Sequence, residues 1–474
     1  MTLPASGAGE GQAEAGGPIA RLTDSRQLTL QVLLEVEAGQ GANEALAAAL
    51  GACTLSARDR ALVTNLVDGT LRWRGRLDHV LAHFSKYPLA DLPLPILTIL
   101  RLGAYQLLFL DRVPAAAAVS QSVQLARRRG HAGTAGLVNA LLRRLATAAS
   151  QVPFPDPAQD PAGYLAASCS HPRWLLERWL NHYGYQETLA LCQADNEPPP
   201  LTLRANRLRA SRDGLAQALA AEGITTRPCS LAPDCLVVTG GAERLRQGQA
   251  WRQGWFTIQG EGSLLVGYLA SPLPGWRVDD LCAGVGGKAT HLAELMDGRG
   301  RVVAYDKSAA RLRLLEQEAQ RLGVEIETRV ADATQLPGRG ESNLVLVDAP
   351  CSGTGTLRRR PDARWRKTPR QLETLPGLQL ALLGAGAGLL HKGGYLIYTT
   401  CSLEPEENEQ VVAAFLANHP GYQAQDCRDA LPFLPPDAFG EGGRFVRLLP
   451  HRHGTDGMYM AALTSPAAGG KSRR

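Results

Sequence analysis

The run WRVDDLCAGVGGKAT, residues 276–290, decides how the second half of this 474-residue chain is read. A short apolar segment passes through two acids into a turn containing Gly284, Gly286 and Gly287, then into Lys288 and a helical stretch. The same rhythm continues downstream. RVVAYD (301–306), EIETRVAD (325–332), SNLVLVDAP (342–350) and GGYLIYTTC (393–401) are apolar runs that end in small or polar residues, separated by helical stretches such as SAARLRLLEQEAQRLG (308–323). Strand alternating with helix predicts right-handed crossovers and a mostly parallel sheet covered on both faces. Ligands of such sheets bind outside the carboxyl ends of the strands. Here those ends carry the glycine turn, Asp306, Asp332, Asp348, Cys351 and Cys401.

Three ligands are weighed for the turn. A phosphate loop of the form GxxxxGK[ST] is excluded, because Cys282 and Ala289 stand at two positions it requires. A dinucleotide fingerprint is met by Gly284, Gly286 and Ala289, with Asp306 placed to hold a ribose. S-adenosylmethionine (AdoMet) needs the same close backbone approach and the same ribose acid. It differs in using a further acid, and Asp332 ends the third strand where a carboxylate could accept from an adenine amino group. An ordinary tight turn whose acids cap helices is the fourth reading.

Upstream, residues 22 to 148 carry only helical periodicity. In DSRQLTLQVLLEVEAG (24–39), Asp24 and Ser25 are candidate caps and Leu28, Val32 and Val36 recur four apart. LPLPILTILRLGAYQLLFL (92–110) contains two prolines and Arg101, so it is expected to be a buried helix, not a membrane span. SQVPFPDPAQDPAG (150–163) reads as a linker. HPRWLLERWLNHYG (171–184) is a short helix stopped by Gly184, LTLRANRL (201–208) a strand, SRDGLAQALAAEG (211–223) a capped helix and CLVVTG (235–240) a strand. The expected division is a disordered tail at 1–20, a helical domain at 21–149, the linker, a small α+β domain at 164–268, an α/β domain at 269–465 and a tail at 466–474.

A formal net charge of +5 suits a nucleic-acid partner without requiring one. The placement of charge is more telling: RRRPDARWRK (358–367) sets six basic residues against one acid, and Arg127, Arg128 and Arg129 are consecutive. Nine cysteines without ligand spacing argue against a disulfide framework and against a metal site, and are read as reduced thiols in a cytoplasmic protein. The first twenty residues lack the basic and apolar regions of a signal peptide.

Cys351 and Cys401 each follow a strand directly and face the crevice of the glycine turn. A thiol beside a methyl donor has a specific use. Carbon 5 of a pyrimidine is a poor nucleophile, but thiolate attack at carbon 6 makes an enamine that can be methylated at carbon 5. Asp348, within a few residues of Cys351, can serve ring nitrogen 3. Spacing alone does not rank the two cysteines.

DAPCSGTG (348–355), TTCS (399–402) followed by LEPEENE, GGK in the glycine turn and LLPHRHGTDG (448–457) resemble the Sun/Fmu (RsmB-type) family of ribosomal RNA cytosine-5 methyltransferases. AGLVNALLRRL (135–145) resembles that family's NusB-like N-terminal domain, and NEPPPLTLRANRL (196–208) the start of its small RNA-binding domain. The resemblance implies an all-α domain, a small α+β domain and a Rossmann-like AdoMet-dependent domain, forming 5-methylcytosine in small-subunit (16S) rRNA. It implies Cys401 as nucleophile, Cys351 as the assistant of product release, and Asp348 between cofactor and base. Cys282, Ala283, Gly284, Val285, Gly286, Gly287 and Lys288 would surround the methionine and sugar, with Asp306 on the ribose and Asp332 near the adenine. Ribosomal RNA is the expected partner and a monomer the expected state, with no membrane and no metal.

Expected RNA contacts are Arg358, Arg359, Arg360, Arg364, Trp365, Arg366 and Lys367, with Arg204 and Asn206 on the LTLRANRL strand. The target cytosine must leave its stack to reach the crevice. Two departures stand out. Val285 replaces the usual Pro of PGGK, and QGEGS (259–263) replaces QDEAS, with Gly260 where an Asp is usual. They leave open a non-catalytic RNA-binding assembly factor with a decayed methyltransferase fold. The GxGxxA match leaves open an NAD-linked oxidoreductase, and close relatives of the family modify other RNAs.

Overall fold

The computed structural model describes residues 24–466. The tail expected at 1–20 lies outside them, as does that at 466–474 apart from Pro466. The chain divides after Pro155 into two compact units.

The first unit is helical: α1 (Ser25–Glu37), α2 (Ala42–Ala52), α3 (Ala57–Arg72), α4 (Arg74–Phe84), α5 (Leu94–Phe109), α6 (Ala115–Arg129) and α7 (Ala132–Ala148). Asp24 caps α1 through Arg26 N, and Leu28, Val32 and Val36 enter one core with Leu66, Leu100, Val138 and Leu142. Arg101 is tolerated inside α5 because Asp78 receives it in a two-pronged pair (2.7 and 2.8 Å) while Glu37 accepts at 3.1 Å. Among the described residues no helix is long and apolar enough to cross a membrane.

In the second unit the proline-rich stretch gives way to α8 (Pro161–Cys169), capped by Asp160. The helix α9 runs Arg173–Asn196, well past the stop predicted at Gly184. That glycine does break the helix, with φ +77, but the chain resumes its turn beyond it and brings Leu191 and Cys192 back against α8. A four-stranded antiparallel sheet follows: β1 (Thr202–Ala205), α10 (Arg212–Ala221), β2 (Thr225–Pro228), β3 (Cys235–Gly240), α11 (Gln249–Arg252) and β4 (Phe256–Ile258), in the order β2-β3-β1-β4. Cys229 and Cys235, predicted to be free thiols, are joined as a disulfide. The β2–β3 hairpin sets them opposite each other, with Cys229 N donating to Cys235 O and Cα atoms 5.2 Å apart, within bridging range.

The remaining elements are α12 (Glu261–Ala270), β5 (Arg277–Asp280), α13 (Gly287–Leu295), β6 (Arg301–Asp306), α14 (Ala309–Leu322), β7 (Glu327–Val330), β8 (Ser342–Asp348), α15 (Ala363–Arg366), α16 (Pro369–Leu389), β9 (Leu390–Thr400), α17 (Glu409–Asn418), β10 (Gln423–Ala424), β11 (Val446–Leu448), α18 (Pro450–His453) and β12 (Met458–Thr464). The sheet order is β10-β12-β9-β8-β5-β6-β7, with β11 also on β12. The five strands read from sequence are parallel to their neighbours in this set. Three antiparallel strands were not read. Met458–Thr464 is mostly Met, Ala and Leu, which favour helix, with Tyr459 and Thr464 the strand-favouring residues, and becomes a strand by pairing with β9 from Tyr459↔Thr400 to Thr464↔Tyr395. The chain steps from β5 outward to β7, then returns to β8 on the other side of β5. The order reverses between β5 and β8, which opens a crevice at their carboxyl ends.

One buried cluster ties the small sheet to this crevice. Arg204 donates to Glu294 (2.7 Å), Thr290 Oγ1 (3.0 Å) and the Gly287 carbonyl (2.6 Å), and neither charged side chain is exposed. Removing one member of such a pair strands the other. Arg204→Met is expected to cost about 3–5 kcal/mol in urea unfolding, and Glu294→Gln in the same chain is expected to restore part of it.

Candidate active site

The glycine turn leaves β5 and enters α13. Gly284 and Gly286 hold φ of +58 and +86, which side chains rarely adopt. At Gly286 a Cβ would also lie 2.4 Å from Leu315. Asp306, at the end of β6, accepts from Gly284 N (3.0 Å) and Ser308 N (2.8 Å), so the ribose acid of the sequence reading also holds the turn closed. Asp332 follows β7, accepts from Thr334 N and Oγ1, and faces Lys307 at 3.1 Å. Val285 is exposed at the tip of the turn.

Lys288 Nζ donates to Asp348 Oδ2 at 2.6 Å, joining the first turn of α13 to the end of β8. Burial works against the lysine's charge, but Asp348 and its hydrogen bond prevail and raise its pKa. Asp280 was not among the expected site residues, although its place in the DD pair at a strand end could have marked it. It is fully buried, its Oδ2 has no hydrogen-bond partner, and burial with the nearby Asp348 charge raises its pKa to about 7. Burial likewise pushes the Cys282 thiol up.

The parallel register Asp348↔Thr399 puts the exits of β8 and β9 side by side. Cys351 and Cys401 thereby meet with sulfurs 3.4 Å apart. The hydrogen bond with Cys351, helped by the charges of Lys288 and Arg360, draws Cys401 below the ordinary thiol range against burial and Asp348. The same bond, burial, the charge of Cys401 and that of Glu407 push Cys351 well above that range. Gly353, with φ +70, keeps the loop close to Cys401: a Cβ there would lie 3.7 Å from the sulfur. Asn408 secures the turn after β9, accepting from Thr400 Oγ1 (2.6 Å) and donating to Ser402 O (2.9 Å).

Several expected RNA contacts point inward. Arg204 and Asn206 were expected to contact RNA, but β1 lies between β3 and β4, and Asn206 directly follows it. Arg204 is fully buried as described, and Asn206 donates to Gly254 O and Leu322 O, each at 2.8 Å. Arg364 is also fully buried and donates to Ser170 O, Asn196 Oδ1 and Asp195 O. Arg358 is 4% exposed beside Asp456. These four hold the fold together and cannot present their side chains to RNA. Arg359 is partly buried on Asp456 at 2.5 Å, and Arg366 pairs with Asp362. Arg360 is exposed, and Trp365 and Lys367 are half-buried. Asp456 also accounts for Gly260. A Cβ at 260 would lie 3.0 Å from Asp456 Oδ2 and 3.5 Å from Arg359, so an acid from the C-terminal HGTDG stretch takes the space beside that arginine. Among the described residues no cluster of His, Cys, Asp and Glu could hold a metal.

A closed glycine turn, the Asp306 carboxylate and an unpartnered buried acid fit the backbone approach, hydroxyls and cationic groups of AdoMet. With an ionisable thiol pair at the neighbouring strand ends, the second unit is an AdoMet-dependent methyltransferase of the doubly wound class. The comparisons agree. Residues 268–464 match the 16S rRNA methyltransferase RsmB/F family, residues 23–147 the NusB family, and residues 171–243 the ferredoxin-like domain of RsmF/B-like methyltransferases. The probable ribosomal RNA small subunit methyltransferase B of Bacillus subtilis is 35% identical, over 93% of this chain and 98% of its own length. The ribosomal RNA small subunit methyltransferase B of Thermus thermophilus is 37% identical, over 92% and 97%. The crystal structure of PH0851 superposes with a TM-score of 0.78 at 26% identity, over 93% of this chain and 98% of that one. The chain belongs to the RsmB/F methyltransferase family, and the oxidoreductase reading of GxGxxA falls away.

The buried Asp280 has a measurable signature. Its folded-state pKa of about 7 lies above the unfolded value of about 3.9. The folded state therefore keeps a proton that the unfolded chain releases, and this contribution is lost as pH rises toward 7. In cofactor-free protein, Asp280→Asn is expected to raise the urea midpoint clearly at pH 8 and little at pH 4.5. An equal shift at both pH values would show that the carboxyl is not protonated in the fold.

Proposed function

We propose that this chain methylates carbon 5 of a cytosine in small-subunit ribosomal RNA, in the cytoplasm, with Cys401 as nucleophile. The observation that carries the reading is the thiol pair itself, two sulfurs 3.4 Å apart at the exits of β8 and β9, and the hydrogen bond between them with the charges of Lys288 and Arg360 lowers the pKa of Cys401. The relatives' names, which specify small-subunit rRNA, support the substrate class.

In this mechanism the Cys401 thiolate adds to carbon 6 of a cytosine drawn out of its stack. Asp348 serves ring nitrogen 3 by passing to it the proton that Lys288 Nζ donates, which neutralises the negative charge that grows on the ring. AdoMet supplies an electrophilic methyl group for carbon 5. The carbon 5 proton then leaves to water, the carbon–sulfur bond breaks, and the Cys351 thiol donates to the departing Cys401 sulfur. Cys282, Ala283, Gly284, Val285, Gly286, Gly287 and Lys288, with Asp306 and Asp332, are the residues proposed to hold the cofactor.

Wild type and cysteine variants incubated with radiolabelled AdoMet and deproteinised small-subunit rRNA, then run on denaturing gels, test the assignment. Cys401→Ala is expected to lose roughly 10³-fold or more of activity. Cys351→Ala is expected to accumulate a labelled protein–RNA adduct that disappears in the double variant. Normal methylation by Cys401→Ala would refute the assignment.

The RNA surface is proposed to include Arg360, Trp365 and Lys367, with Arg359 and Arg366 at its margin. Arg360→Ala and Lys367→Ala are each expected to weaken RNA binding and lower the salt dependence of log K by about one unit, measured by filter binding across KCl concentrations. An unchanged slope would remove that residue from the interface.

A further inference from the structure

A buried carboxylate beneath the two cysteines is left without a role by the mechanism above. Glu407 is 0% exposed and lies on neither cysteine's strand. It belongs to the short helical turn after the Cys401 loop, yet it gathers donors from three separate segments. Ser352 N donates to its Oε1 at 2.8 Å, and Ser352 Oγ to its Oε2. Ser402 Oγ donates to Oε2 at 2.5 Å. From α16, Gln379 Nε2 donates to Oε1 at 3.1 Å while also holding the Pro350 carbonyl at 3.0 Å. Ser352 and Ser402 are the residues immediately after the two cysteines, and their hydroxyls are 3.0 Å apart. Tyr398 anchors the acid's own backbone by donating to Glu407 O at 2.5 Å.

A neutral residue could have tied these loops. A buried acid adds a fixed negative charge, and the two sulfurs feel it unequally. It takes both the amide and the hydroxyl of Ser352 and, through Gln379, is tied to the Pro350 carbonyl, so both neighbours of Cys351 are bound to it, whereas Ser402 Oγ alone reaches it from the Cys401 loop. The charges acting on Cys401 come from Lys288 on α13, Arg360 on the following loop and Asp348 at the end of β8. When the thiol pair gives up one of its protons, the one that remains rests on whichever sulfur is the poorer place for a negative charge.

We propose that Glu407 is a positioning residue whose charge, when the pair ionises, keeps the remaining proton on Cys351 so that Cys401 is the sulfur that becomes thiolate. This deepens the proposed function and rests on its choice of nucleophile. The carboxylate acts through Ser352 and Ser402 to hold the sulfurs together, and through its charge to decide which is nucleophile and which is proton donor. Glu407→Gln separates the two roles, since the amide oxygen still accepts from Ser352 N and Gln379 while the amide nitrogen donates to the serine hydroxyls.

The experiment is competitive alkylation of full-length protein with substoichiometric iodoacetamide at pH 7.5, read by peptide mass spectrometry, without RNA or AdoMet. Thiolate sulfur displaces iodide, so the label reports where the proton is absent. Wild type is expected to be labelled at Cys401 over Cys351 by roughly tenfold or more, one pKa unit being a factor of ten. Glu407→Gln is expected to bring the ratio toward parity, with a cooperative melt retained. Ser352→Ala, which removes a donor but leaves the charge, is expected to keep the label on Cys401.

An unchanged ratio in Glu407→Gln, or an equal shift in Ser352→Ala, overturns the proposal while leaving Cys401 as nucleophile intact. Preferential labelling of Cys351 in wild type defeats the nucleophile assignment itself. If Glu407→Gln does not fold, the Cys401→Ser variant decides. With Glu407 present, Cys351 must alkylate with a midpoint above the free-thiol value of about 8.5, and an ordinary midpoint overturns the proposal.

Discussion

The parallel pairing of β8 with β9 is the constraint on which the site depends. Because Asp348 is in register with Thr399, the two strands end together and their chains emerge into the same space. Cys401 follows one residue after its strand and Cys351 three after the other, and the 3.4 Å sulfur contact follows from that register. A slip of one residue would turn every side chain of β9 to the opposite face. The register is secured from outside by β12, which pairs with β9 along six positions. The seven residues of β12 thus support the site through their pairing with β9.

Charge inside the second unit organises the site as much as apolar packing does. Arg204 joins the small sheet to the Gly287 carbonyl at the start of α13, and Lys288, the next residue, reaches Asp348. Two hydrogen bonds joined through the Gly287–Lys288 backbone therefore connect β1 to the end of β8. Arg364 similarly draws the basic loop down onto α8 and α9 through Ser170, Asp195 and Asn196. Buried ionic groups are expensive to isolate, so such contacts are retained where a geometry must be unique. Their cost here is offset by multiple acceptors for each guanidinium.

The two departures from the family pattern have different physical consequences. At position 260 the space is taken by Asp456, which pairs with Arg358 and Arg359, so the local charge is supplied from another part of the chain. At position 285 the side chain is exposed and carries none of the turn's closing contacts, which come from Gly284 N, Asp306 and Gly286 N. Neither change removes a group on which the site geometry rests.

The alternation of apolar runs and helical stretches determined the parallel sheet, and the residues at the ends of those runs determined where a site would lie, because strand ends and crossovers are local patterns. The glycine turn, Asp306, Asp348 and both cysteines were legible for that reason. Sequence could not decide which basic residues face water. Whether β1 is an edge or an interior strand depends on its partners β3 and β4, which lie tens of residues away, and contacts with Thr290 and Glu294 of α13 and with Leu322 of α14, more distant still, buried Arg204 and Asn206. Sequence was equally silent on β12, most of whose residues favour helix, and on Glu407, an acid in an acid-rich turn until tertiary packing brings Ser352, Ser402 and Gln379 to it. The ranking of the two thiols also belongs to tertiary structure, since it depends on the hydrogen bond between the sulfurs and on charges from four different segments, none of which is near in sequence to both sulfurs.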